Sequence, residues 1–65
     1  MSEQITLKAA RINAGLTQEE MAKRLEIAAS TYNKWENNPQ NITIVRQKQI
    51  SEILNFPSDN IIFLP

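Results

Sequence analysis

Apolar residues recur along this chain in short groups at three- and four-residue spacing, and polar segments separate the groups. This spacing places the residues of one group on the same face of a helix. The first such face carries Leu7, Ala10, Arg11 and Ala14. Thr6 can cap this helix, and Gly15 stands where a left-handed residue ends one. The pattern predicts a first helix over residues 6–14.

A capping box marks the start of the second helix. The Thr17 hydroxyl can accept from the backbone N–H of Glu20, whose carboxylate can reach back to the N–H of Thr17. Met21 and Leu25 follow four positions apart. The second helix is therefore predicted over residues 18–25.

Two aromatic residues define the inner face of a third helix. Tyr32 and Trp35 lie three positions apart, which places both on one face of a helix over residues 29–36. We interpret both as core residues rather than as platforms for stacked bases, because the chain has few aromatic residues. The next segment, residues 37–41, is rich in Asn and contains Pro39, which predicts a loop.

Two more helices are predicted in the C-terminal part of the chain. Thr43 can cap a fourth helix over residues 43–54, and Asn55 can end it in a left-handed conformation. The apolar seam of this helix consists of Ile50, Ile53 and Leu54. Ser58 and the apolar residues after it predict a short fifth helix over residues 58–63. No segment shows the alternation of a β-strand. The predicted fold is all-α, a compact bundle of five short helices.

A three-residue connection between the second and third helices is the arrangement of a helix-turn-helix motif. The two helices cross steeply, so the first needs a small residue at the crossing, and Ala22 meets that need. The apolar positions that hold the angle are Met21, Leu25, Ile27, Tyr32 and Trp35. The outward positions are Ala28, Ala29, Ser30, Asn33, Lys34 and Asn37. These face outward together, as a DNA-reading surface requires.

Two segments, residues 11–22 and 30–36, carry a specific combination of features. They contain Gly-Leu-Thr-Gln-Glu-Glu, the correctly spaced Ala22, and a Trp-Glu pair that closes the third helix. By these residues, the chain resembles the Xre family of helix-turn-helix regulators, which includes the lambdoid phage repressors and Cro proteins. The resemblance covers residues 7–63.

The resemblance implies a fold and a set of roles. It implies five helices, the third of which lies in the DNA major groove, and a Gln at the start of the second helix, here Gln18, that binds the DNA backbone. It also implies a salt bridge between Arg11 and Glu36, which we expect to be partly buried. Members of the family mostly bind as dimers to two-fold symmetric operators and regulate transcription.

Three positions depart from the family pattern. The turn position that is commonly Gly is Glu26 here, which predicts a non-Gly residue near the left-handed region. The cap of the third helix, often Ser or Thr, is Ala28, so that helix starts loosely or uses Ser30 as its cap. In the family, the loop after the third helix and the start of the fourth commonly carry basic residues. Here the loop is neutral, and Arg46 and Lys48 come only later.

The outward residues of the third helix are the candidates for base readout. Asn33 can pair with the N6/N7 edge of adenine. Lys34 can reach guanine or, as we favour, a phosphate. Ala28 and Ala29 offer methyl contacts to thymine, or are small because the backbone approaches DNA closely. Ser30 can bond a base or phosphate, or cap the helix.

A second set of residues is expected to bind the DNA backbone. These residues are Thr17, Gln18, Asn37, Asn38, Gln40, Asn41 and Arg46. The N-terminus of a helix presents free N–H groups and a positive dipole to phosphate, which supports Gln18. Turn formation explains Asn37 and Asn38 equally well.

Composition limits the possible chemistry. The 65 residues include Lys+Arg 7 and Asp+Glu 7, with no His and no Cys. Without Cys there is no disulfide or zinc–thiolate site, and without His the commonest general base is missing. We expect one domain over residues 1–65 that is not an enzyme and that binds no cofactor, metal or small-molecule substrate. No apolar run is long enough to span a membrane, and we expect a cytoplasmic protein.

The leading hypothesis is a sequence-specific regulator of transcription, a repressor from a phage or prophage, that binds double-stranded DNA. Zero net charge predicts that a single copy binds DNA weakly and needs a homodimer. The C-terminal apolar residues are either a lid on the core or a self-association surface, and they are Ile61, Ile62, Phe63 and Leu64. The alternative is a protein-interaction module, such as an antitoxin or an antirepressor-controlled regulator.

Overall fold

The computed structural model describes residues 4–63. Four α-helices dominate this part of the chain, and two short strands lie at its ends. The elements are β1 (Ile5–Thr6), α1 (Leu7–Asn13), α2 (Gln18–Leu25), α3 (Ala29–Asn37), α4 (Ile44–Leu54) and β2 (Ile61–Ile62). Single 3₁₀ turns at Pro39–Asn41 and Ser58–Asn60 precede α4 and β2.

Threonine side chains begin three of the helices, as the sequence predicted. The hydroxyl of Thr6 accepts from the N–H of Ala9, and that of Thr43 accepts from the N–H of Arg46. At Thr17 the complete capping box forms with Glu20. Each cap satisfies a helix N–H group that has no partner within the helix.

Left-handed residues end the helices where the sequence indicated. Gly15 (φ 76°) follows α1, Glu26 (φ 59°) follows α2 and Asn55 (φ 51°) follows α4. The helix limits differ slightly from the predicted ones, because Thr6 and Thr43 have extended backbone angles and lie outside their helices. Conversely, α3 continues one residue further, to Asn37.

The predicted fifth helix over residues 58–63 is wrong. Only one 3₁₀ turn forms, at Ser58–Asn60, and the chain then becomes extended. β2 pairs in parallel with β1, with Ile5 opposite Ile61 and Thr6 opposite Ile62. Pairing with a distant segment decides the conformation here, because a helix of only six residues would make few internal hydrogen bonds.

The core lies between the four helices and β2. Its buried apolar residues are Leu7, Ala10, Met21, Ala22, Leu25, Tyr32, Ile42, Ile50, Leu54, Ile61 and Phe63. Ile27, Trp35 and Ile53 pack against this core while partly exposed. Ala14 was expected on the inner face of α1 but is exposed, since it is the C-cap rather than part of the helix.

Candidate nucleic-acid interface

A tight turn holds α2 and α3 at a fixed angle. Glu26 adopts the left-handed conformation, and the N–H of Ile27 donates to the carbonyl of Ala22 over 3.0 Å. Ala22 is buried, so α3 can pass close to the backbone of α2. Glu26 occupies the turn position that is commonly Gly in the family, as the sequence indicated. A residue with a side chain adopts this left-handed conformation at an energetic cost.

The outer face of α3 is open to solvent. Ala28, Ala29, Ser30, Asn33 and Lys34 are all exposed, whereas Tyr32 on the opposite face is fully buried. No side chain caps the start of α3, where Ala28 is the N-cap residue. Ser30 therefore does not serve as a replacement cap. Its hydroxyl lies on the exposed face.

A chain of side-chain amides runs along the interface. The Asn33 amide donates to Gln18 Oε1 over 3.2 Å, and Asn33 Oδ1 accepts from the Asn37 amide over 3.3 Å. In turn, the Gln18 amide donates to Glu36 Oε1 over 2.9 Å. The sequence placed Gln18 and Asn33 on the same surface but gave no sign of this connection.

The amide chain ends on a buried ion pair. Arg11 Nε and Glu36 Oε2 are 2.6 Å apart, and the two side chains are only 10% and 4% exposed. A second bond joins Arg11 Nη2 to Glu36 Oε1 over 3.5 Å, and Arg11 Nη1 donates to the carbonyl of Leu16 over 2.8 Å. The predicted salt bridge between α1 and α3 is present.

The surroundings of this pair favour the ionised carboxylate. Burial alone would raise the pKa of Glu36, but the hydrogen bonds and positive charge that it receives outweigh burial and lower that pKa. The hydrogen bond and the charge of Glu36 likewise raise the pKa of Arg11 against its own burial. Both groups therefore stay charged at neutral pH.

Tyr32 lies under the ion pair. Its ring is fully buried, and burial raises the pKa of its hydroxyl well above the ordinary value. That hydroxyl is the one buried side-chain polar atom of residues 4–63 without a hydrogen-bond partner. Tyr32 is therefore a core residue, as its spacing with Trp35 indicated, and it is not available for base stacking.

The family comparison matches this geometry. The family model described as helix-turn-helix matches residues 7–61. The chain belongs to the Xre family of helix-turn-helix regulators. It is a DNA-binding regulator, and this is a DNA-binding rather than an enzymatic family. Comparison with curated proteins and with solved structures finds no significant match.

The two helices of the Xre-family helix-turn-helix motif are α2 and α3. The residues that are expected to contact the DNA backbone lie around these two helices. Thr17 and Gln18 open α2, and Asn37 closes α3. Asn38, Gln40 and Asn41 are exposed in the segment that follows α3.

Arg46 differs from the other expected backbone-binding residues in that its contacts reach from α4 to the end of α2 and to α3. Its Nη1 donates to the carbonyl of Leu25 over 2.9 Å and to Gln49 Oε1 over 3.0 Å. The guanidinium lies 5.8 Å from the centre of the Trp35 ring, within the range of a cation–π contact. Arg46 thus joins α4 to the end of α2 and to α3.

Residues 4–63 contain neither a candidate metal site nor a membrane-spanning helix. No group of acidic side chains in this part of the chain is arranged to hold a metal ion. None of its helices is long and apolar enough to cross a membrane. A cleft of about 210 Å³ lies between α2 and α4 and includes Arg24 and Glu52. It is shallow and holds no residues of the α3 surface.

Proposed function

We propose that this regulator is a sequence-specific repressor that reads the major groove of double-stranded DNA with α3. The observation that carries the proposal is the exposed outer face of α3, where Asn33 is held by neighbouring amides on both sides. A side chain with fixed geometry loses less conformational entropy when it binds a base. If this helix face were only in contact with solvent, no function would require the Asn33 side chain to be held in one geometry.

Asn33 keeps the groups that adenine recognition needs. Its amide has two N–H donors and two lone pairs, and the contacts with Gln18 and Asn37 use one of each. The remaining N–H can donate to adenine N7 while the remaining lone pair accepts from N6. Lys34 lies beside it and is assigned to a phosphate. Ala28, Ala29 and Ser30 line the start of α3, where they would contact neighbouring base edges.

Gln18 is the principal contact to the DNA backbone in this proposal. One N–H of its amide is used by Glu36, and the second remains for a phosphate oxygen. The positive end of the α2 dipole adds to that contact. Thr17, Asn37, Asn38, Gln40 and Asn41 surround it as weaker backbone contacts. Arg46 contributes mainly through its positive charge, because Leu25 and Gln49 already engage its guanidinium.

We further propose that the protein acts as a homodimer on a two-fold symmetric site. With Lys+Arg 7 and Asp+Glu 7, one copy neutralises few phosphates, and two copies double the contact. The recognition helices would lie about 34 Å apart in successive major grooves. Ile61 and Phe63 are buried within the chain, which supports the lid interpretation for these two residues. Ile62 is exposed, and Leu64 lies outside the described residues.

The test is selection of bound duplexes from a random DNA pool, followed by titration of wild type and Asn33→Ala. We expect a symmetric selected site, and we expect Asn33→Ala to abolish base preference at one position in each half-site. Lys8→Gln, a change at an exposed position of α1, is the matched control and should keep that preference. Equal affinity of the wild type for selected and scrambled duplexes would refute sequence-specific binding.

A protein-interaction module is the second candidate function. The observation that favours it is a pair of exposed apolar residues at the start of α4, Ile44 and Val45, which are 65% and 68% exposed. Such a pair suits a protein partner, as in an antitoxin or an antirepressor-controlled regulator. Sedimentation combined with DNA titration separates the candidates, since a strict monomer without salt-sensitive DNA affinity favours this second function.

A further inference from the structure

The orientation of the interface amides is set by one carboxylate. Ionised Glu36 can only accept hydrogen bonds, so the group that Gln18 turns towards it must be the amide NH2. The carbonyl oxygen of Gln18 then points the other way and accepts from the amide of Asn33. Asn33 Oδ1 consequently faces Asn37. The orientation of each amide in this series therefore fixes the orientation of the next one.

This fixed direction matters because a base pair has a direction across the major groove. An A·T pair presents the N7 acceptor, the N6 donor, the O4 acceptor and the methyl group in that order, and a T·A pair presents them in reverse. An Asn amide with its donor on the Gln18 side matches only one of these orders. The same amide turned by 180° would match the other.

We propose that Glu36 is a positioning residue that selects the strand on which Asn33 finds its adenine. Acting through Gln18, its carboxylate fixes the donor and acceptor sides of the Asn33 amide. Glu36 thereby acts on specificity through Gln18 and on stability through its ion pair with Arg11. This inference rests on the proposed function, in which Asn33 reads a base.

The competing explanation is purely structural. If Glu36 only anchors α3 to α1, its loss would lower affinity for every duplex to the same extent. If it orients Asn33, its loss would change the ratio of affinities for A·T and T·A at a single position. The ratio of affinities for the A·T and T·A duplexes therefore distinguishes the two roles, because a uniform loss of folding or affinity does not alter it.

The experiment compares Glu36→Gln with Arg11→Met on three duplexes. They are the selected duplex, one with the A·T pair inverted to T·A, and one with G·C at that position. Both variants remove the ion pair, but only Glu36→Gln removes the group that can only accept, because Gln both donates and accepts. We expect Glu36→Gln to reduce the A·T over T·A preference about tenfold while it still disfavours G·C. Arg11→Met should retain the wild-type ratio.

Gln18→Met is the second variant and decides the outcome if an ion-pair variant does not fold. It leaves Arg11 and Glu36 intact and removes the link to Asn33, so it should lower the same ratio. Retention of the A·T over T·A ratio in folded Glu36→Gln, or in Gln18→Met, overturns the inference. If Asn33→Ala itself keeps that ratio, the readout assigned to Asn33 fails instead.

Discussion

Arg11 and Glu36, which are 25 positions apart in the chain, form an ion pair that is almost completely buried between α1 and α3. The contact joins α1 to the end of α3, and the carbonyl of Leu16 receives a further hydrogen bond from the same guanidinium. Glu36 Oε1 also accepts a hydrogen bond from the Gln18 amide, which links the ion pair to the surface. One contact therefore connects the stability of the domain with the geometry of its interface.

Removal of one partner should be strongly destabilising. Arg11→Met leaves the Glu36 carboxylate buried without its counter-charge, and we expect a loss of about 3–5 kcal/mol in the free energy of unfolding. Urea denaturation followed by circular dichroism measures this loss. The double variant Arg11→Met/Glu36→Leu should recover most of it, since no charge remains buried. Lys8→Met, on the exposed face of α1, is the control and should change stability by less than about 0.5 kcal/mol. A loss for Arg11→Met no larger than this control would contradict the burial of the pair.

Stability should fall in acid in a way that depends on Glu36. The pKa of Glu36 is lowered in the folded chain, so its contribution is present at neutral pH and is lost as pH falls below about 4.3 towards the folded pKa. Thermal unfolding between pH 7 and pH 2 measures this dependence. We expect Glu36→Gln to flatten it, whereas Glu52→Gln, at an exposed position of α4, should leave it unchanged. An acid limb of identical slope in wild type and Glu36→Gln would rule out this assignment.

The turn of the helix-turn-helix motif should be improved by glycine. Glu26 has a φ of 59°, which costs a residue with a side chain about 1–2 kcal/mol, whereas Gly adopts this angle freely. Glu26→Gly should therefore raise the free energy of unfolding by up to about 1 kcal/mol, after the greater entropy of unfolded Gly is deducted. Ala14→Gly is the matched control, because Ala14 is exposed with a φ of −81° and should lose stability. A decrease for Glu26→Gly as large as that for Ala14→Gly would refute the prediction.

The salt dependence of DNA binding should report on Lys34. If Lys34 contacts a phosphate, Lys34→Gln should weaken binding on all duplexes alike and reduce the slope of log K against log salt by about 1. Filter-binding titrations between low and moderate salt provide the slope. Lys8→Gln, at an exposed position of α1, should keep it unchanged. An unchanged slope for Lys34→Gln, with lost preference at one base pair, would instead identify Lys34 as a guanine-reading residue.

Local signals in the sequence were sufficient for the helix-turn-helix motif. Thr17 and Glu20 satisfy each other within four residues. Such contacts depend on neighbours in the chain, so they are visible in the sequence. The burial of Ala22 and Tyr32 followed from helical spacing for the same reason.

Local signals in the sequence were not sufficient to predict the side-chain contacts of the interface. The sequence predicted which residues of α3 face outward, but the link from Glu36 through Gln18 to Asn33 joins residues 18 and 15 positions apart. Arg46 shows the same limit, because its contacts with Leu25 and Trp35 cross between helices. An amide or guanidinium can bond many partners, and only the packing of the helices selects among them.

The sequence by itself therefore determined the four helices, the threonine caps of three of them and the helix-turn-helix motif, because each depends on residues a few positions apart. Tertiary structure alone decided the C-terminal segment, where Ile61 pairs with Ile5 instead of continuing a helix. A three-residue 3₁₀ turn carries too few internal bonds to extend itself, whereas pairing with β1 buries Ile61 and satisfies its backbone. The apolar residues that suggested a helix or an association surface at this end are thus, in Ile61 and Phe63, part of the core.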